Sequence, residues 1–387
     1  SVHLVGPNRI GKSSLVGQAL LENADAEKQL HVKLCMGQMS DAFSFWYALF
    51  EGIKEAADRV SLWNEDLQHQ MDRISDLDEN SKSWFRIFCS AYKQMAQEFH
   101  ASGWRTVLII DEFDGVKQVF GEKIHYYQFL RSIYSDPDYA TCGIIISRRR
   151  LGLIEKNTSE LSSFSNVFNE FPVKAFSDAC MEEVYSSLEN EGISLSGEAK
   201  EEFLYHTGKI PYLCSMLCSE MIDQMHITGT VNRDMLRNVA GECLPKIDNY
   251  YNSLVGRLKE DGYLDIAFTM AVLGKIPFNT KKRTLDAMRI MGILVDEKEN
   301  SSYIFTPDFA NYLQTLPLEL PTWDTLMSCE RKLKSIFEKV YPMLGEATYK
   351  RDSADGFCPD LFTRIKSEYS KLNLKWEIIE RNLQSLS

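Results

Sequence analysis

The segment Gly6-Pro-Asn-Arg-Ile-Gly-Lys-Ser13 constrains this chain more than any other. It fits G-x-x-x-x-G-K-[ST], with an apolar run over residues 2–5 before it and a helical pattern over 14–21 behind it. A loop between a strand and a helix lets backbone N–H groups converge on phosphates, aided by the positive end of the helix. The residues expected to cradle a nucleoside triphosphate are Gly6, Pro7, Asn8, Arg9, Ile10, Gly11, Lys12, Ser13 and Ser14. Lys12 would neutralise charge at the β/γ-phosphates, and the Ser13 hydroxyl would ligate Mg²⁺.

A second stretch supplies the partner chemistry. Thr106-Val-Leu-Ile-Ile-Asp-Glu-Phe-Asp114 is an apolar run ending in acids, which predicts a strand buried on both faces of a parallel sheet. Its tip faces the carboxyl edge of the sheet, where ligands bind. Asp111 would hold Mg²⁺ through water, and Glu112 would orient and deprotonate the attacking water. Residues 142–147 predict another buried strand, ending in Ser147-Arg148-Arg149-Arg150. Arg148 is the candidate for the γ-phosphate, with Ser147 beside it; Arg149, Arg150 and Arg131 are candidates for reaching a neighbouring subunit's nucleotide. Strands are also expected over 30–36 and 171–176, with helices over 41–60, 83–101 and 125–135, so an α/β unit with a parallel sheet is predicted for 1–176. The aromatics of 41–60 (Phe43, Phe45, Trp46, Tyr47, Phe50) recur at helical spacing and read as core; residues 61–80 read as a polar loop or exposed helix.

Residues 177–243 look wholly helical and would form a lid, broken at Thr207-Gly-Lys-Ile-Pro211, with Pro211 at a permitted first-turn position. Over 244–318 the order is three helices and a hairpin, 292–296 and 302–306 across a polar turn at 297–301, the pattern of a winged helix. Residues 319–387 predict two further helices, 322–340 and 361–386.

With 387 residues the chain has room for two or three domains. It begins with Ser five residues ahead of the loop, so an upstream segment is expected. The nine cysteines are scattered without C-x-x-C spacing, which favours free thiols in a reducing cytoplasm over a disulfide framework. No apolar run approaches the roughly 20 residues of a membrane span. The formal net charge of −12 disfavours a polyanion partner. Residues 245–318 carry nine Lys/Arg and nine Asp/Glu, so the winged-helix segment is neutral; Lys281, Lys282 and Arg283 are its one basic cluster.

With phosphate loop, Asp-Glu strand, Ser-Arg tip, helical lid and winged helix in that order, the chain resembles the STAND and archaeal-type ATPases of the AAA+ group, near the origin-recognition ATPases. The resemblance covers roughly residues 2–318 and extends to 144–151, like the family's sensor strand, and 303–313, like the end of its winged helix. It implies strand order 5-1-4-3-2 and an ATP or ADP held with Mg²⁺ between sheet and lid. It further implies a nucleotide-gated switch that assembles as a homo-oligomer or engages a partner protein, and a setting in bacterial signalling or defence against phage. A DNA-acting ATPase of origin-recognition or transposition-regulator type is the alternative. The family's lid reads Gly-x-Pro, whereas Lys209 stands at the glycine position here; Pro211 is then expected near base and ribose, with Lys209 a candidate for phosphate. Helical RNases found beside such ATPases use a histidine, and no histidine follows His226, so nuclease chemistry in 319–387 is rejected.

Overall fold

The computed structural model describes residues 1–316 apart from 24–27, 80, 156–163, 225–228, 275, 277–279 and 297–301. The helices expected over 319–387 and the turn at 297–301 lie outside the described residues. The first unit runs β1 (Val2–Val5), α1 (Lys12–Glu22), β2 (Gln29–Cys35), α2 (Ala42–Arg59), α3 (Glu65–Ser75), α4 (Trp84–Ala101) and β3 (Arg105–Asp111). It continues through α5 (Val116–Phe120), α6 (Ile124–Ser135), β4 (Thr141–Ser147), α7 (Leu151–Ile154) and β5 (Asn169–Pro172).

The five strands form one parallel sheet in the order β2-β3-β4-β1-β5, which is the expected order read from its other edge. Alternation divides the strand residues between two faces. Leu108, Ile110 and Ile145 join the large core built with α2, α4 and α6, while Val107, Ile109 and Ile146 pack with Val16 of α1. The α2 aromatics behave as expected: Phe45, Trp46 and Phe50 are fully buried, and Trp46 stacks on Phe120. Asp41 opens that helix with a capping box shared with Ser44. The polar stretch 61–80 is more structured than its composition implied. Leu67, Met71 and Ile74 sit at helical spacing and bury one face of α3.

The second unit comprises α8 (Asp178–Asn190), β6 (Ile193–Leu195), α9 (Gly197–Thr207), α10 (Pro211–Gln224), β7 (Gly229–Val231) and α11 (Arg233–Glu260). It is not wholly helical, because β6 and β7 pair as a short parallel ribbon. Three-residue strands with buried Ile193, Leu195 and Val231 are too brief to leave a periodic signal. Helix α11 is continuous through Pro245, so one element joins the lid to the hairpin segment. That segment comprises α12 (Leu264–Leu273), α13 (Lys282–Ile290), the antiparallel pair β8 (Leu294–Asp296) and β9 (Ser302–Ile304), and α14 (Pro307–Thr315).

Lid and hairpin segment share a single apolar core, running from Met181 through Leu213 and Tyr251 to Phe309. Ile10 of the phosphate loop is part of that core. The loop is therefore wedged between the sheet on one side and the lid and hairpin segment on the other. Among the described residues no helix is long and apolar enough to cross a membrane.

Candidate functional site

Because the strands are parallel, the segments following β1, β3 and β4 emerge along one edge of the sheet. After β1 the loop turns through left-handed backbone at Arg9 (φ 61°) and Gly11 (φ 89°), and α1 starts directly at Lys12. Lys12 is only 8% exposed. Its Nζ donates to the carbonyls of Gly6 (2.8 Å) and Pro7 (2.7 Å), so the ammonium lies folded over the loop it serves. Burial lowers its pKa to about 8, Asp114 and Asp111 work to raise it, and Arg257 and Arg148 add to the lowering.

The two candidate magnesium ligands meet across the sheet edge. Ser13 Oγ donates to Asp111 Oδ2 at 2.6 Å. Asp111 Oδ1 accepts from the N–H of Glu112 at 2.8 Å, which holds the carboxylate in place. Glu112 itself has left-handed backbone (φ 53°), uncommon for a residue with a side chain. The turn projects its carboxylate toward Gly37, where a Cβ would collide with it, and Cys35 Sγ donates to Oε2 at 3.4 Å. Hydroxyl and carboxylate at hydrogen-bond distance, with a second carboxylate on the next residue, form an oxygen donor set suited to Mg²⁺. The folded-back lysine amid carbonyls is the donor that a polyphosphate would draw outward. Loop and acids thus fit a magnesium nucleotide, which would be held by Lys12, Ser13 and Asp111 together with the loop amides.

The tip of β4 is organised by Asp114, which the sequence did not single out beyond its place in the acidic run. Asp114 is buried and accepts from the N–H groups of Arg148 (2.6 Å) and Arg149 (3.1 Å), and Arg148 Nε lies 3.4 Å from its carboxylate. Arg148 therefore stands at the site but leans on Asp114. Ser147 does not turn its hydroxyl toward the loop. Its Oγ donates to the Arg149 carbonyl (2.5 Å) and lies 2.6 Å from His3 Nε2, while its own carbonyl accepts from Gly6 N–H at 3.3 Å. Since the hydroxyl proton is used on Arg149, His3 Nε2 must be the donor in the second bond. Arg149 and Arg150 are drawn into pairs within the chain, with Asp261 (2.6 Å) and Glu170 (3.0 Å), and Arg131 lies in α6.

At the lid, Gly208 (φ 51°) approaches the hairpin segment so closely that a Cβ would meet the Phe305 carbonyl at 2.5 Å. The Lys209 ammonium, the candidate for phosphate, is taken up by Asp178 at 2.5 Å. Pro211 begins α10, and the next residue, Tyr212, carries the Arg9 guanidinium over its ring at 4.2 Å.

Arg257 was missed by sequence reasoning. It lies on the apolar stripe of α11, three residues past Leu254 and seven past Tyr250, and is 6% exposed. Its Nη2 approaches the Arg148 carbonyl at 3.5 Å, and Nη1 is buried without a hydrogen-bond partner. Burial lowers its pKa, and Arg148 adds to the effect. A guanidinium on an apolar helical stripe was the available signal.

Residues 79–254 match the family described as Novel STAND NTPase 2, a stretch that includes the Asp-Glu strand, the arginine tip and the lid. The resemblance holds. The chain is similar to the STAND and archaeal-type ATPases of the AAA+ group. Among solved structures, a Walker-type ATPase of Pyrococcus abyssi superposes with a TM-score of 0.52 at 15% identity, over 81% of this chain and 90% of that one. At that identity the likeness is one of fold. Cdc6p of Pyrobaculum aerophilum (TM-score 0.41, 11% identity, 81% and 86% coverage) and a RuvB variant of Thermotoga maritima (0.41, 13%, 83% and 88%) are more distant. No curated protein matches the chain.

Proposed function

We propose that this chain is an ATP-binding and hydrolysing switch whose nucleotide state controls its conformation or self-association. The observation that carries this reading is the enclosure of the phosphate loop by the segments that would have to move. Ile10 is embedded in the core of lid and hairpin segment, Arg9 lies over Tyr212, and Pro7 touches Gly292. A γ-phosphate that draws Lys12, Arg148 and Arg257 toward itself would bind one arrangement of these segments better than another. That differential affinity is what shifts a population.

In this reading the amides from Gly6 to Ser14 hold the phosphates, Ser13 and Asp111 the metal, and Glu112 orients the attacking water. Bound Mg²⁺ would supply charge neutralisation between the phosphates. Residues 1–176 act as the nucleotide unit, 177–243 as lid and 244–318 as a winged helix that packs on the loop. The setting that goes with the reading is the cytoplasm, in bacterial signalling or phage defence. The charge of −12 weighs against the DNA-acting alternative.

Light scattering on the full chain tests the switch directly. With a non-hydrolysable ATP analogue and Mg²⁺ the chain should form a larger or more extended species than with ADP. Identical size and shape in the two states would end the switch reading.

A further inference from the structure

A cleft of about 800 Å³ lies beside the nucleotide site, between the end of β4 and helix α13. It brings together a basic triplet and a basic pair over a hundred residues apart in sequence. Arg148, Arg149 and Arg150 line one wall, and Lys282 and Arg283, next to Lys281, line the other. None of the phosphate loop, Asp111 or Glu112 contributes to it.

The acids of the cleft are already committed. Glu170 pairs with Arg150 (3.0 Å), Asp261 with Arg149 (2.6 Å) and Asp286 with Arg289 (2.9 Å). Among the described residues Lys282 and Arg283 have no ion-pair partner, and both are exposed. They also occupy the first turn of α13, which has no side-chain cap and no acidic residue. Cations are disfavoured at that end of a helix, where an anion is favoured. Arg148, Arg149 and Arg150 are each held by one carboxylate, Asp114, Asp261 and Glu170, so the positive charge left for an anion in the cleft is that of Lys282 and Arg283.

We propose that this cleft is a second ligand site, taking a small molecule with several phosphate groups. Arginine forks match phosphate oxygens in pairs, and the volume suits a ligand of nucleotide size. A long nucleic acid fits less well, because the net charge of −12 over the whole chain repels an extended polyanion. Arg148 gives the ligand a route to the chemistry: it lines the cleft while its Nε lies 3.4 Å from Asp114 at the nucleotide site.

Titration calorimetry on the full chain, preloaded with ADP in excess magnesium and probed with inorganic tripolyphosphate, tests the site. The native chain should show one binding event beyond the ADP already bound. The double substitution Lys282→Glu/Arg283→Glu should weaken that event at least tenfold while leaving ADP affinity unchanged. Glutamates are favoured in a first helical turn, so loss of folding is not the expected cause of a weaker signal. A control pair on α4, Arg86→Glu/Lys93→Glu, changes net charge equally and should leave binding intact. The absence of a second event, an equal loss in the control pair, or tighter binding of a single-stranded oligonucleotide through the same two residues would each overturn the proposal. Failure of ADP to load would instead count against the phosphate loop reading, and is read separately.

Discussion

Pro7 of the phosphate loop packs against Gly292, the residue leading into β8, so closely that a Cβ on Gly292 would meet the proline ring at 2.7 Å. The backbone there is left-handed (φ 70°), which glycine tolerates without cost. Loop and hairpin segment therefore touch at a point where neither can grow. Gly292→Val should combine backbone strain with overpacking, each about 1–3 kcal/mol, and the cheapest relief is separation of the hairpin segment from the loop. Hydrogen exchange of residues 6–13 should rise and ADP should dissociate faster. Unchanged exchange in a folded variant would show that this contact transmits nothing.

Lys12 makes nucleotide binding sensitive to alkaline pH. Burial brings its pKa down to about 8, against 10.5 for an ordinary lysine. Below that value the ammonium is present to meet phosphate; above it, binding must first take up a proton. Affinity for ADP should fall by up to about tenfold per pH unit above about 8, and binding heats should depend on the ionisation heat of the buffer. Lys12→Ala should abolish binding at all pH values, while Lys12→Arg should remove the pH dependence. A flat native profile from pH 7 to 9.5 would contradict the assignment.

Glu112→Gln keeps the shape of the side chain and removes the base. ATP should remain bound with turnover reduced on the order of a hundredfold or more, a loss in the range expected for a general base. Rapid filtration after a single turnover separates bound ATP from bound ADP. If the variant hydrolyses at the native rate, the base lies elsewhere.

The strand-and-loop chemistry was legible because it is local. Residues 2–13, which hold β1 and G-x-x-x-x-G-K-S, and the run 106–114 each encode in one short stretch a strand and the functional groups at its end, and Ser13 does meet Asp111. What the sequence hid depends on tertiary placement. The Ser147 hydroxyl points into the sheet because His3 on the neighbouring strand captures it, and that pairing joins residues 144 apart. Lys209 is taken by Asp178, the first residue of α8, and Arg257 acquires meaning only once α11 carries it to the arginine tip. The ribbon β6–β7 is held by pairing between segments more than thirty residues apart, which no periodicity could announce.

His3 should limit acid stability. It is 1% exposed, and burial lowers its pKa from 6.5 to about 4, opposed by Asp114 and assisted by Arg150. Between those two values the unfolded chain binds a proton that the folded chain refuses, so stability falls as pH drops through this window. The loss attributable to His3 is about 1.5 kcal/mol between pH 6.5 and 5. Denaturant unfolding at both pH values, in the native chain and in His3→Gln, isolates it by difference. Equal pH sensitivity in the two would mean that the histidine is charged in the fold or plays no part.

Arg257 separates stability from function. It is a buried cation near Arg148 and Lys12, with one nitrogen lacking a hydrogen-bond partner, an arrangement that costs folding energy. Arg257→Met retains most of the volume on the α11 stripe and removes the charge, so the unliganded protein should melt at the same temperature or higher. The same change should weaken nucleotide binding by about 10–100-fold, the equivalent of one lost charge-assisted hydrogen bond at about 1.5–3 kcal/mol. ATP should suffer more than ADP if the guanidinium addresses the terminal phosphate. Arg257→Lys, which keeps the charge but not the fork, should fall between the two. Melting curves alongside ATP and ADP titrations for all three proteins decide the matter. A methionine variant that melts lower yet binds both nucleotides normally would make Arg257 a structural residue, and the link from phosphate to α11 would have to run through Tyr212 and Gly292 alone.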